Sequence, residues 1–229
     1  QPTPTPPPTF QEAYQRVRAS VVRLETGSSV GSGWALEPGW VVTAWHVVDG
    51  ADQVTVVAPS AQGEPRRATG RVRGYDALRD IAAVEVALEI TPLEPREPTG
   101  DDIATLVLGV GYASGQPGRP SVRLGVVTAV YTLGTWDLTV VETDAALDPG
   151  DSGGPLVDVY GRVLAVGQAG GTSTGGKRLL GRQLALSVAE VLEVWPRLKA
   201  GERLATASPP WFEQLPSVSP TPAGGYPGP

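Results

Sequence analysis

"DPGDSGGPL", residues 148 to 156, sets three glycines and two prolines around Ser152. Such a run suits neither a helix interior nor a central strand. Glycine reaches backbone conformations that other residues avoid, so successive N–H groups in a turn of this kind can aim at one point. A serine hydroxyl is a weak nucleophile. To attack a carbonyl it needs a base to take its proton and donors to hold the oxyanion that forms. The turn could supply both nucleophile and oxyanion donors, although glycine-rich turns also serve as plain tight connections.

A base has to come from elsewhere in the chain, and there is one histidine. His46 ends the apolar run "WVVTAWHVV", which reads as a strand. A lone imidazole in such a place is ordinarily satisfied by backbone and has no special task. Asp80 precedes the apolar run "IAAVEVA", where a loop enters the core, and by itself it reads as a turn residue. Each residue alone says little; the order His, Asp, Ser is what they share.

The remaining runs are short and strand-like. "SVVRLET", "GSGWALE", "WVVTAWHVV", "QVTVVAP", "RVRGYD" and "DIAAVEVA" precede the Pro-rich segment "TPLEPREPTGDD". "ATLVLGVGY", "VRLGVVTAVYT", "LTVVETD", "GPLVD", "RVLAVGQA" and "RQLALSV" follow it. Six runs on each side of a boundary near residues 91–102 predict an all-β fold of two packed antiparallel six-stranded barrels. Helical spacing is confined to "FQEAYQRVRASV", with Phe10, Tyr14 and Val17 on one face, and "SVAEVLEVWPRLKAG", which starts at a serine cap. The expected organisation is a Pro-rich arm over 1–9, a domain over 10–200 (first barrel about 10–95, second about 100–187, helix about 187–199) and a Pro/Gly-rich tail over 201–229.

Composition narrows the function classes. A chain of 229 residues with 41% apolar content can bury a sizeable core. A net charge of −6 provides no basic field for nucleic acid or an anionic membrane. No run of 18 apolar residues offers a membrane span. With Cys 0 there is no disulfide, thiolate nucleophile or thiolate metal site, and no cofactor or metal is expected. Asn and Met are absent, and Lys177 and Lys199 are the only lysines, a pattern of thermophilic or high-GC sources. The chain starts at Gln1 without a charged-then-apolar leader and reads as trimmed.

Taken together, "VVTAWHVV", "DIAAVEV" and "TDAALDPGDSGGPLVD" resemble the three catalytic segments of chymotrypsin-fold serine proteases, and more narrowly the HtrA/DegP-like branch. The resemblance covers about residues 10–200. It implies that Ser152 is the nucleophile, His46 the general base and then acid, and Asp80 the residue that orients His46. Backbone N–H groups of Gly150, Asp151 and Ser152 would form the oxyanion hole. Ala146, Leu147, Gln168, Ala169, Gln183 and Leu184 would line the substrate pocket, where no carboxylate stands to receive Lys or Arg, so a small or medium apolar P1 residue is expected.

The chain departs from that branch at Asp151, where most members have Asn, and in lacking a recognisable PDZ segment after Lys199. Asp151 is therefore read as a loop-stabilising residue. The Gly-rich stretch 167–181 is a candidate regulatory loop beside the pocket. The implied partners are polypeptides with unfolded or exposed segments, in an extracytoplasmic setting (periplasmic, envelope or secreted), with an envelope anchor in the precursor. Phe10 and Tyr14 are placed either to build a homotrimer, as in relatives of this branch, or to cap the barrel. The alternative to an active protease is a latent or chaperone-like binding module on the same fold; a structural envelope protein is the third reading.

Overall fold

The computed structural model describes residues 6–27, 29–60, 63–115, 118–168, 173–174, 177–178 and 181–205. Fourteen strands form among them, twelve of them from alternating or continuous apolar runs. The first six are β1 (Val21–Glu25), β2 (Val30–Glu37), β3 (Trp40–Thr43), β4 (Gln53–Ala58), β5 (Arg66–Asp76) and β6 (Ile81–Val86). They close into an antiparallel barrel in the order β1-β2-β3-β6-β5-β4. A second barrel closes in the order β10-β11-β14-β9-β8-β7. Its strands are β7 (Leu106–Gly111), β8 (Ser121–Leu133), β9 (Leu138–Thr143), β10 (Pro155–Asp158), β11 (Val163–Gly167) and β14 (Gln183–Ser187). Between β11 and β14, β12 (Ser173–Thr174) and β13 (Lys177–Arg178) pair as a small ribbon within the glycine-rich stretch. Closure leaves neither barrel with an unpaired edge.

Each barrel has its own apolar filling. Val22, Leu24, Val41, Val56 and Val84 fill the first, and Val107, Val141, Leu156 and Leu164 fill the second. A third and larger cluster holds the barrels together, joining Trp34, Val42 and Ile81 from one to Leu108, Val110 and Leu186 from the other. Burying these side chains at the seam holds the two barrels together, and loops from both sides meet there.

Helix α1 (Phe10–Val17) begins at a capping box, with the Glu12 N–H on Thr9 Oγ1 and the Thr9 N–H on Glu12 Oε2. Its Ala13 and Val17 are buried. Phe10 and Tyr14 pack on the central cluster, and the Tyr14 hydroxyl donates to Pro120 O at 2.6 Å. Helix α3 (Val188–Lys199) starts at Ser187, whose side chain accepts from the Ala189 N–H, and buries Val191, Val194, Trp195 and Leu198 against the seam. Beyond it, the first residues of the expected tail run along β5: the Tyr75 N–H donates to Glu202 O and the Leu204 N–H to Tyr75 O.

One local reading is corrected. "WVVTAWHVV" is not a continuous strand, because β3 ends at Thr43 and Trp45–Val48 form a single helical turn, α2. The strand stops where its partner does: Thr43 pairs with Ala82, and beyond it the turn at Asp80 captures the next backbone donors.

Candidate active site

His46 stands on α2, and Asp80 immediately precedes β6. The Trp45 N–H donates to Asp80 O at 3.1 Å, and the His46 N–H donates to Asp80 Oδ1 at 2.9 Å. His46 Nδ1 lies 2.7 Å from Asp80 Oδ2. The Asp80 side chain is 1% exposed and the His46 side chain 38%, so a buried carboxylate holds a partly open imidazole. A carboxylate only accepts, so the hydrogen between them is carried by Nδ1.

Asp80 adopts a left-handed conformation, with φ of 52°, which is costly for a residue other than glycine. Its surroundings hold it there. Arg79 reaches Asp76 Oδ2 at 3.0 Å, Glu190 Oε2 at 3.0 Å and Glu193 Oε2 at 3.1 Å, tying the turn to α3. Asp76 Oδ1 also accepts from the N–H groups of Leu78 and Arg79. From the second barrel, Gln168 Nε2 donates to Asp80 O at 3.3 Å.

The Ser152 loop is built from a Pro–Gly turn. Gly150 has φ of 101° and the Asp151 N–H donates to Asp148 O at 2.9 Å, which with Pro149 in second place has the signature of a type II turn. Glycine is required at 150, because a Cβ there would stand 2.2 Å from Tyr112 O. The Ser114 N–H donates to Pro149 O at 2.6 Å. Across a trans peptide the N–H points opposite to the C=O, so the Gly150 N–H is turned away from Ser114. Gly150 N–H donates to no acceptor among the described residues. The Asp151 N–H, in contrast, donates to Asp148 O at 2.9 Å.

Gly153 packs directly under the histidine turn. A Cβ on it would stand 2.5 Å from Thr43 Oγ1 and 2.6 Å from Ala44 N, two residues before His46. That close approach brings Ser152, which is 6% exposed, beside the turn that carries His46. Residues from three separated segments therefore meet at the barrel seam.

The remaining expected residues lie near this loop. Leu147 and Leu184 are buried, and Leu147 fills the space over Gly109 and Gly167. Ala146 is exposed. Gln168 and Gln183 are buried, their Oε1 atoms without a hydrogen-bond partner among the described residues, and Gln168 turns its amide to Asp80 O. Ala169 and most of 167–181 lie outside the described residues. Three contributors escaped the sequence reading: Arg79, Ser114 and Ser32. For Ser32 a signal existed, since Gly31 and Gly33 inside a strand mark a close approach of backbone.

Asp151 is 3% exposed, with the Asp148 N–H on its Oδ2. Burial pushes its carboxyl above the ordinary value, against the opposing pull of the Asp148 N–H and of Arg123, whose Nε is 3.9 Å from Oδ2. A carboxyl raised by folding favours the native state fully below its unfolded pKa, and the advantage is lost as pH rises through the folded pKa. Wild type should therefore lose stability relative to Asp151→Asn as pH climbs above the ordinary carboxylate range. Thermal melts of both proteins from about pH 3 to about pH 8 check this, and a constant difference in melting temperature would overturn it.

A family model described as "Trypsin-like peptidase domain" matches residues 31–166. A "Putative serine protease HhoA" of Synechocystis is 33% identical over 171 residues, covering 71% of this chain and 42% of that protein. A "Probable periplasmic serine endoprotease DegP-like" of Halomonas elongata is 29% identical over 189 residues, covering 76% and 36%. Among solved structures, the "HtrA-type protease AlgW with tripeptide" superposes with a TM-score of 0.71 at 27% identity, over 84% of this chain and 64% of that one. The "Rv3671c protease, inactive form" gives 0.67 at 25% identity, over 86% and 99%. The chain spans less than half the length of these curated relatives.

Proposed function

The chain belongs to the trypsin-like peptidase domain family, in its HtrA-like branch with the chymotrypsin fold, and from that premise we propose that it is a serine endopeptidase working through Ser152, His46 and Asp80. The observation that carries the reading is the Asp80 carboxylate, with one oxygen on the His46 N–H and the other at Nδ1. That arrangement leaves Nε2 as a base for a neighbouring hydroxyl.

Ser152 Oγ attacks the scissile carbonyl carbon while its proton passes to His46 Nε2. Asp80 stabilises the imidazolium that results, and the carbonyl oxygen becomes an oxyanion facing the N–H groups of Gly150 and Ser152. Collapse breaks the C–N bond, with the proton on Nε2 going to the leaving amine. Water then attacks the acyl-enzyme by the same route, its proton taken by His46, and returns Ser152 Oγ–H.

A fluorophosphonate probe and casein digestion, applied together, test the reading. Labelling at Ser152 with digestion supports it. Labelling without digestion would make the chain a latent enzyme, and no labelling of folded protein would refute the reading.

The reading extends to a pocket lined by Ala146, Leu147, Gln168, Ala169, Gln183 and Leu184, which takes small or medium apolar P1 residues. A peptide panel should give kcat/KM values for Val, Ala or Leu at P1 at least about tenfold above those for Lys, Arg or Glu, the scale of apolar pocket discrimination. Preference for Lys or Arg would overturn this. The domain is taken to run over 10–200 between Pro-rich arms that fit spacing from an envelope anchor. Its setting is extracytoplasmic and its substrates are unfolded or exposed segments in protein quality control, in keeping with relatives named as periplasmic endoproteases. Light scattering distinguishes a homotrimer from a monomer whose Phe10 and Tyr14 cap only their own barrel.

A further inference from the structure

Ser32, in the middle of β2, is fully buried and belongs to the first barrel, yet most of its polar bonds cross the seam. Its N–H donates to Ser152 O at 2.8 Å. Its hydroxyl donates to Gly150 O at 2.7 Å and accepts from the Tyr112 N–H at 2.8 Å. Its own carbonyl accepts from Thr43 Oγ1 at 2.7 Å, next to the turn that carries His46. One residue thus grips the 150–152 loop at two carbonyls and is itself braced by the strand leading to the base.

A hydroxyl has one hydrogen to give. With the Tyr112 N–H occupying a lone pair of Ser32 Oγ, that hydrogen has a defined direction, toward Gly150 O. The grip falls on the peptide between residues 150 and 151. This peptide lies between the two that carry the Gly150 and Ser152 N–H groups. Glycine at 150 leaves the backbone free to rotate on both sides of its Cα, so this peptide is set by what bonds to it: Asp148 O at its N–H from within the loop and Ser32 Oγ at its C=O from the other barrel. The Ser114 N–H fixes the preceding peptide through Pro149 O, and the Ser32 hydroxyl fixes the next.

We infer that Ser32 is a positioning residue for the oxyanion hole: its hydroxyl holds the Gly150–Asp151 peptide so that the flanking N–H groups converge where the oxyanion forms. This rests on the endopeptidase reading above. It assigns the hole's geometry to the opposite barrel, so that the loop is active only while the two barrels are docked at Ser32.

The test compares wild type, Ser32→Ala and Ser32→Cys on a chromogenic peptide with valine at P1, with thermal melts as the check on folding. Misaligning the donors should cost about 10²-fold in kcat, the scale for losing one such donor, while KM stays within about twofold because the substrate-binding strands are untouched. The pH dependence of kcat/KM should keep its wild-type midpoint, since His46 and Asp80 do not change partners. A peptide boronate should lose affinity in proportion to kcat, whereas a product peptide should not. Ser32→Cys, with a weak donor of similar shape, should fall between the two and decides the matter if the alanine variant does not fold. A folded variant with wild-type kcat would overturn the inference, and so would parallel changes in KM and in the pH midpoint. Wild type that neither hydrolyses the peptide nor reacts with a fluorophosphonate would instead sink the endopeptidase reading.

Discussion

Ser152→Ala is expected to lower turnover by about 10⁶-fold, the scale on which related triads depend on their nucleophile, while leaving the fold intact. The loop is held by backbone groups: Ser152 O accepts from the Ser32 N–H, the Gly153 N–H donates to Gly167 O and the Gly154 N–H donates to Asp151 O. Alanine keeps all three. The variant should melt within about 0.5 kcal/mol of wild type, as expected where no cavity or unpaired charge is created. It should also lose fluorophosphonate labelling entirely. Combining it with His46→Ala should cost little more, because a base with no nucleophile to serve has nothing left to contribute. Residual casein digestion above about 10⁻³ of wild type in a cleanly purified Ser152→Ala protein would mean that another group attacks the carbonyl, and the assignment of Ser152 would fall.

The architecture was legible because barrel strands announce themselves locally. Every run from "SVVRLET" to "RQLALSV" carries its own apolar pattern, and the Pro-rich segment between the sixth and seventh separates the barrels. The candidates His46, Asp80 and Ser152 could be singled out for a related reason: each sits in a short motif, "VVTAWHVV", "DIAAVEV" or "DPGDSGGPL". What could not be read locally is what segments distant in sequence impose. The break after Thr43 depends on Asp80, thirty-odd residues on, taking the N–H groups of Trp45 and His46. The role of Ser32 depends on Gly150 and Ser152 across the seam. Gln168 shows the same limit: its place after β11 gave no sign that its amide reaches Asp80 O across the seam.

Asp80→Asn should reduce kcat by about 10⁴-fold with little loss of stability, and the reason lies in the count of acceptors. The aspartate uses two oxygens, one for the His46 N–H and one at Nδ1. Asparagine has a single oxygen. If that oxygen keeps the backbone donor, the amide NH₂ faces Nδ1, which must then accept, and the ring proton moves to Nε2. An imidazole protonated at Nε2 cannot take the serine proton, so geometry is preserved and basicity is lost at the one atom that needs it. The turn itself should survive, because Arg79 still ties it to Asp76, Glu190 and Glu193, and Gln168 still reaches the carbonyl at 80. Fluorophosphonate labelling should slow in the same proportion as peptide hydrolysis, since both require Ser152 to shed its proton to His46. The measurement is kcat and the labelling rate at neutral pH, with a thermal melt alongside. A folded Asp80→Asn protein retaining more than about a tenth of wild-type kcat would show that the carboxylate does not set the tautomer of His46, and that its buried, left-handed position serves only the fold.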